Sequence, residues 1–362
     1  MTTKLRVVFD ASSKTTNGIA LNDKLMPGPN LQADLQRILI RFRTHEFVIT
    51  ADVAFMFRQV LINPRDRNLQ LILWRNEVTQ PRQLYQLDTI TYGTACAPFL
   101  AMRCLKELAK IYQQEFPLVA RAVEQDFYMD DVLTGGSTLE DVMTLQKQLT
   151  EMLARGKFPL RKWRANHPSI LKHLSEHSTT SDLLVIDKDQ PIKTLGLLWN
   201  ATTNVLQYRI TLDENKSNTK RSMLSKIAQR QAIEWDQELP INLRISWGKY
   251  YTLLTRLNDV RVKRNINIKN SSSTFDLYGF GYASEAAYGA CLYAVSTDQH
   301  GIRQSELICA RTKVAPLKTI SLPRLELEAA LMLARLFDTV KKSCRNKINK
   351  VKLWSDSTVT LG

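Results

Sequence analysis

Acidic residues are scarce in this chain. Its 362 residues carry 35 Asp and Glu against 50 Lys and Arg, a net charge of +15 with a sequence pI near 9.6. That balance leaves a polyanion, above all a nucleic acid, as the expected partner. Basic clusters fall at 216–230, 261–264 and 341–352, although any one of them reads equally well as a solvated helix face. Long apolar runs are missing too, since nothing approaches the roughly twenty residues that cross a bilayer. The opening Met1-Thr2-Thr3-Lys4-Leu5-Arg6 lacks the apolar core of a secretory signal, so an intracellular protein, cytoplasmic or nuclear and without a membrane partner, is expected. Cysteine is limited to Cys96, Cys104, Cys291, Cys309 and Cys344, with no Cys-x-x-Cys spacing. This supports neither a zinc ribbon nor a disulfide framework, and reduced, mostly buried thiols are the default expectation. His167, His173 and His177 crowd one polar segment, but no cysteine or paired acid lies near them. Asn166-His167-Pro168 reads instead as a turn into an amphipathic helix.

What is present is more specific. Residues 127–133 read Phe-Tyr-Met-Asp-Asp-Val-Leu, two adjacent carboxylates at the tip of an apolar hairpin. Carboxylates held side by side between buried strands repel each other and call for a compensating positive charge, usually metal ions. One hairpin cannot surround two ions, so a further acid must come from elsewhere. Asp52 is the best candidate: it ends the short apolar run Phe47-Val48-Ile49-Thr50-Ala51 and precedes 53–61, whose apolar spacing can turn helical. Asp52 and Asp130 are then expected on neighbouring antiparallel strands, with Asp131 beside them as a supporting acid.

With 44% hydrophobic residues the chain can form two or three domains. Helices are expected over 31–43, 98–115 and 138–155, the last strongly periodic, and a polar basic stretch over 213–270 ends in the linker Asn270-Ser271-Ser272-Ser273-Thr274.

The paired acids, together with Leu5-Arg6-Val7-Val8-Phe9-Asp10, Tyr92-Gly93-Thr94-Ala95-Cys96-Ala97-Pro98, Gly156-Lys157-Phe158-Pro159-Leu160-Arg161-Lys162-Trp163, Leu195-Gly196-Leu197-Leu198-Trp199 and Lys220-Arg221-Ser222-Met223-Leu224-Ser225, resemble the Pol polyprotein of BEL/Pao-type retrotransposons. These words stand in the family's order over about two thirds of the chain. The resemblance implies an α+β fold: a reverse-transcriptase palm with partial fingers, an antiparallel palm sheet and helices, then a truncated α/β ribonuclease H-like domain. Its segments would be partial fingers at 1–50, palm with primer grip at 51–212, partial thumb or connection with linker at 213–274, and the ribonuclease H-like domain at 275–362.

The same resemblance implies an RNA-directed DNA polymerase acting on an RNA/DNA primer-template with deoxynucleoside triphosphates, and two Mg²⁺ ions (Mn²⁺ as the substitute) on Asp52, Asp130 and Asp131. Arg6 would grip triphosphate oxygens, and Phe57 would sit against the sugar 2′ position. Tyr92, Gly93, Tyr128 and Met129 would lie near the nucleotide, Lys162 would protonate the leaving pyrophosphate, and Gly196 and Trp199 would grip the primer end. In the ribonuclease H-like part, Glu326 and Asp356 match two metal-holding acids. Tyr282 stands where the family has the first, a neutral phenol that cannot bridge metal ions at physiological pH. Relative to the family, most of the fingers, an apolar thumb stretch between 229 and 233, and the last ribonuclease H acid are missing. The expectation is a truncated copy, with other Pol segments as neighbours and ribonuclease activity lost. A catalytically inactive nucleic-acid-binding remnant is the alternative.

Overall fold

The structure is a computed structural model that describes residues 7–177, 192–194, 197–208, 241–266, 274–297, 300–316, 318, 320–344 and 348–357. In chain order its elements are α1 (Leu35–Thr44), β1 (Phe47–Val53), β2 (Leu71–Trp74), β3 (Gln83–Gln86), α2 (Ala97–Ile111), α3 (Pro117–Gln125), β4 (Phe127–Tyr128), β5 (Asp131–Gly136), α4 (Leu139–Arg155), β6 (Leu160–Ala165) and α5 (Pro168–His177). There follow β7 (Ile192–Thr194), β8 (Leu197–Asn200), β9 (Val205–Gln207), α6 (Ile241–Leu254), β10 (Arg261–Lys263), β11 (Phe275–Ala283), β12 (Ala287–Thr297), β13 (Arg303–Val314), α7 (Leu322–Ser343) and β14 (Ile348–Ser355). The chain divides into a unit of residues 1–186 with 265–362 and a second of 187–264.

In the larger unit, one sheet has the order β4-β5-β1-β6. β1 and β5 are buried on both faces, and Ile49, Ala51, Val53 and Val132 share one core with residues of α2, α3 and α4. Helix α2 starts at Pro98 in its first turn, where a missing amide costs nothing, and buries Ala97, Ala101, Met102, Leu105 and Ala109 along one stripe. Thr138 caps α4 by accepting a hydrogen bond from the Asp141 amide at 3.1 Å. Helix α1 begins four residues later than 31–43 suggested, because the Asp34 carboxylate caps it by accepting from the Gln36 and Arg37 amides.

The helix expected after Asp52 does not form. Phe55 adopts left-handed backbone angles with φ 51°, leaving a single 3₁₀ turn at Met56–Gln59.

The same unit contains a second core around the sheet β13-β12-β11-β14, in which β14 runs parallel to β11 and the other pairings are antiparallel. Helix α7, between β13 and β14, lays Leu325, Ala329, Leu333, Leu336 and Val340 against this sheet. The turn into α5 is as the Asn-His-Pro sequence suggested. None of the five cysteines is in a disulfide; Cys344 is fully buried and the other four are half-buried. Mostly buried thiols were therefore an overstatement: Cys96 and Cys104 at the start and middle of α2, and Cys291 and Cys309 on β12 and β13, are each partly open.

The smaller unit contains the sheet β10-β9-β8-β7. There Trp199 is buried, and both its indole N–H and the Arg264 guanidinium donate to Asn204 Oδ1, at 3.3 and 2.6 Å.

Candidate functional site

The acids meet through strand register. In the antiparallel pairing of β1 with β5, Asp52 lies directly opposite Asp131, and Asp131 in turn pairs with Tyr128 across the β4–β5 hairpin. Asp130 is therefore not on a strand facing Asp52, as the sequence suggested. It occupies the hairpin turn beside Met129, whose φ of 53° makes the reversal, and its carbonyl accepts the Val53 amide at 2.7 Å. A two-residue turn leaves no ladder position for the first aspartate and gives the second the paired one.

Two cations are delivered from the other side. β6 pairs Arg161 with Asp52 and Arg164 with Thr50, so β6 carries one extra residue there. Lys162, at φ 53°, makes this bulge, which turns two consecutive basic side chains toward one carboxylate. Arg161 Nε donates to Asp52 Oδ1 at 2.7 Å and Lys162 Nζ to Asp52 Oδ2 at 3.0 Å. The Arg161 guanidinium also lies 4.8 Å from the ring centroid of Phe55.

The electrostatics follow from this geometry. Burial raises the Asp130 carboxyl above the ordinary range and Asp52 adds to the shift, while its own backbone amide and the two cations oppose it. Burial, then Asp130, then Asp52 push Asp131 up to about 6, against Lys162. Both cations hydrogen-bond Asp52 and reach the other two acids only through space, so burial dominates there and those carboxyls hold their protons more readily. Among the described residues, no three His, Cys, Asp or Glu side chains are grouped tightly enough to hold a metal ion in this arrangement.

Phe57 is half-buried and packs against the core beneath β1 and β5, as does Met129. Tyr92 packs edge to face on Phe9, donates its hydroxyl to the Val7 carbonyl, and lies 6.0 Å from the Arg58 guanidinium. Phe9, Arg58, Ile72, Trp74, Tyr85 and Tyr92 line a largely apolar cavity of about 400 Å³. Gly93 has φ +92°, and a Cβ there would sit 2.2 Å from the Phe9 carbonyl oxygen. Its close backbone approach is thus to the preceding segment of this chain. Gly93→Ala is expected to destabilise by about 1–3 kcal/mol, read from the urea midpoint, and an unchanged midpoint would remove this reason for glycine. Arg6 and Gly196 lie outside the described residues. Trp199 is described in the smaller unit, buried as above.

In the second core, Gly281 pairs with Ser355, so Tyr282 and Asp356 leave parallel neighbours β11 and β14 at the same end. A Cβ on Gly281 would lie 3.3 Å from the Ala329 carbonyl, which brings the early turns of α7, with half-buried Glu326, to that end. The Tyr282 side chain is 63% exposed.

Sequence reasoning missed two residues beside Asp52 and one at the base of the hairpin. Arg161 was read only as part of a basic word, Phe55 was passed over for Phe57, and Asp126 was not considered. The last lies at the base of the hairpin, its carboxylate accepting from Arg41 Nε and Thr134 Oγ1, each at 2.8 Å.

Comparison with known proteins agrees with this architecture. Residues 218–357 match the family model of the Pao retrotransposon-like RNaseH-like domain. The fold is similar to that of the foamy viral protease-reverse transcriptase in complex with RNA/DNA hybrid, with a TM-score of 0.53 and 11% identity, over 90% of this chain and 40% of that one. This chain therefore spans well under half of the viral protein's length. No curated protein matches in sequence.

Proposed function

We propose that this segment of a BEL/Pao-type retrotransposon Pol is an RNA-directed DNA polymerase whose palm extends a primer on an RNA template. One observation carries the reading: Asp52 and Asp131 are opposed across two buried strands with Asp130 in the adjoining turn, and the bulge at Lys162 directs two cations to the same point. The donor chemistry suits divalent magnesium, and binding would have to draw together three carboxylates that do not yet form a metal shell. Oxygen ligands suit a hard cation, and the raised Asp130 and Asp131 carboxyls mark negative charge that the protein alone leaves uncompensated. Asp52, Asp130 and Asp131 would hold the ions, which when bound neutralise phosphate oxygens and favour ionisation of the primer hydroxyl.

The remaining roles belong to the chain's own groups. Lys162 exchanges Asp52 for the departing pyrophosphate and donates a proton to it, while Arg161 keeps its hold on Asp52. Phe57 limits space at the sugar 2′ position, Tyr92 and Gly93 border the nucleotide with Tyr128 and Met129, and Arg6 grips the triphosphate. Gly196 and Trp199 serve the primer end. Most of the acceleration is positioning and charge stabilisation.

The test is incorporation of deoxynucleotides onto a primer annealed to RNA in Mg²⁺. Extension supports the polymerase; salt-sensitive primer-template binding without extension supports the second reading, a nucleic-acid-binding remnant. That second reading draws on Tyr282, since the ribonuclease H-like site has a phenol in place of an acid.

A pH dependence follows. Asp131 titrates near 6 in the folded chain against an ordinary value of 3.8, so the folded state retains a proton that the unfolded chain gives up. Its contribution to the stability of the metal-free protein is present below about pH 4 and is lost as pH rises through about 6. A divalent cation competes with that proton. The rise in Tm on adding Mg²⁺ is expected to be small at about pH 5 and larger at about pH 8. Equal rises at both would contradict the assignment of Asp131 to the site.

A further inference from the structure

Helix α1 is buried on all sides over its last turns, with Ile38, Ile40, Arg41, Phe42, Arg43 and Thr44 all inaccessible. Two buried arginines in a ten-residue helix are costly unless each is fully engaged. They are engaged in opposite directions. Arg41 donates to the Asp126 carboxylate at 2.8 Å and to the Gln125 carbonyl, and Thr134 Oγ1 donates to the other Asp126 oxygen. Asp126 precedes β4, and its carbonyl accepts the Leu133 amide at 3.0 Å, so this network closes the base of the hairpin that carries Asp130.

Arg43 reaches the other core. One of its guanidinium nitrogens donates to the carbonyls of Leu307 and Ile308, each at 2.7 Å. These lie where β13 carries one residue more than β12, with Leu292 opposite Cys309 and Tyr293 opposite Leu307. A bulge breaks the ladder and leaves backbone groups to be satisfied from outside, and Arg43 supplies the donor. Ile40 packs in the same core as Leu325, Met332 and Leu336 of α7, and the Ile266 amide donates to the Arg43 carbonyl at 3.0 Å.

We infer that α1 is a strut through which the ribonuclease H-like sheet positions the Asp130 hairpin of the palm, with Arg43, Arg41 and Asp126 as its positioning residues. The functional part of this inference rests on the polymerase reading; the mechanical part does not. An arginine holding two backbone carbonyls at a bulge fixes the end of α1 against β13. Two residues earlier, the same short helix fixes Asp126. Loosening one end releases the other, since a single helical turn cannot absorb the displacement.

The test uses the whole chain with Arg43→Met, which keeps much of the apolar stem and removes the donors, and with Arg43→Lys, which keeps a donor. Native-state hydrogen exchange is followed at the amides of Leu133 and Val53, which bond to Asp126 and Asp130. Arg43→Met is expected to speed exchange there by about tenfold, with Arg43→Lys closer to wild type. Faster exchange confined to β13, with Leu133 and Val53 unchanged, would overturn the strut. Should Arg43→Met not fold, Arg43→Gln, which can reach one of the two carbonyls at most, decides by the same amides: faster exchange at both supports the strut and unchanged exchange overturns it. Where primer extension is measurable, Arg43→Met is expected to lower kcat and leave the KM for nucleotide unchanged, whereas a purely structural loss would lower the active fraction alone. Exchange decides the mechanical claim even in a chain that extends no primer, so failure of the strut and failure of the polymerase reading give different results.

Discussion

Asp130→Asn is expected to lower RNA-templated primer extension by on the order of 10³-fold or more, with primer-template affinity nearly unchanged. The amide matches the carboxylate in shape and carries no charge. Asp130 lies in the hairpin turn, held by the bond from the Val53 amide to its carbonyl, so the backbone has no reason to move when the side chain changes. The loss would then be electrostatic. It should be accompanied by a lower titration point for Asp131, because Asp130 is the largest charged contributor to that shift after burial. Extension at the wild-type rate by the Asp130→Asn chain would refute its role. Loss of folding together with activity would leave Asp130 a structural residue.

The second large effect is on stability. Arg41→Ala is expected to cost about 3–5 kcal/mol, because it leaves Asp126 buried with Thr134 as its remaining side-chain partner. At the usual scaling this lowers Tm by roughly 6–20 °C. The loss is not the worth of the ion pair, which against well-packed apolar residues is near zero. It is the penalty of stranding a carboxylate, and the double change Arg41→Leu with Asp126→Asn is therefore expected to be less damaging than Arg41→Ala alone. A destabilisation by Arg41→Ala under about 1 kcal/mol would show that water reaches Asp126.

The sequence made some of this readable and concealed the rest for identifiable reasons. Helices α2 and α4 carry apolar residues at helical spacing, with a proline or a threonine marking their starts, so local chemistry and packing agree. The adjacent acids were conspicuous for the opposite reason, since Asp-Asp between apolar strands violates the pattern around it. Which of the two would face Asp52 was beyond pattern reading: register depends on how tightly the hairpin turns, and one residue of slip exchanges Asp130 for Asp131. Phe55 gave no hint of its left-handed backbone, which a bulky side chain rarely adopts. Arg41 and Arg43 were hidden by their type. Arginine reads as surface, and only the structure shows that Asp126 lies 85 residues from Arg41, and the β13 carbonyls 264 and 265 residues from Arg43, where each guanidinium ends.

The acid cluster also clarifies the bulge at Lys162. Without the extra residue, Arg161 and Lys162 would alternate across the strand and only one would meet Asp52. The bulge brings both cations to Asp52, while Asp130 and Asp131 feel Lys162 only through space.

Titration of the full chain with Mn²⁺, followed by the loss of the free-ion electron paramagnetic resonance signal, asks most directly whether Asp52, Asp130 and Asp131 act as one divalent-cation site. The expected result is binding by the wild-type chain at about pH 8 that weakens by at least about tenfold in each of Asp52→Asn and Asp130→Asn. Indistinguishable titration curves for the three proteins would contradict it.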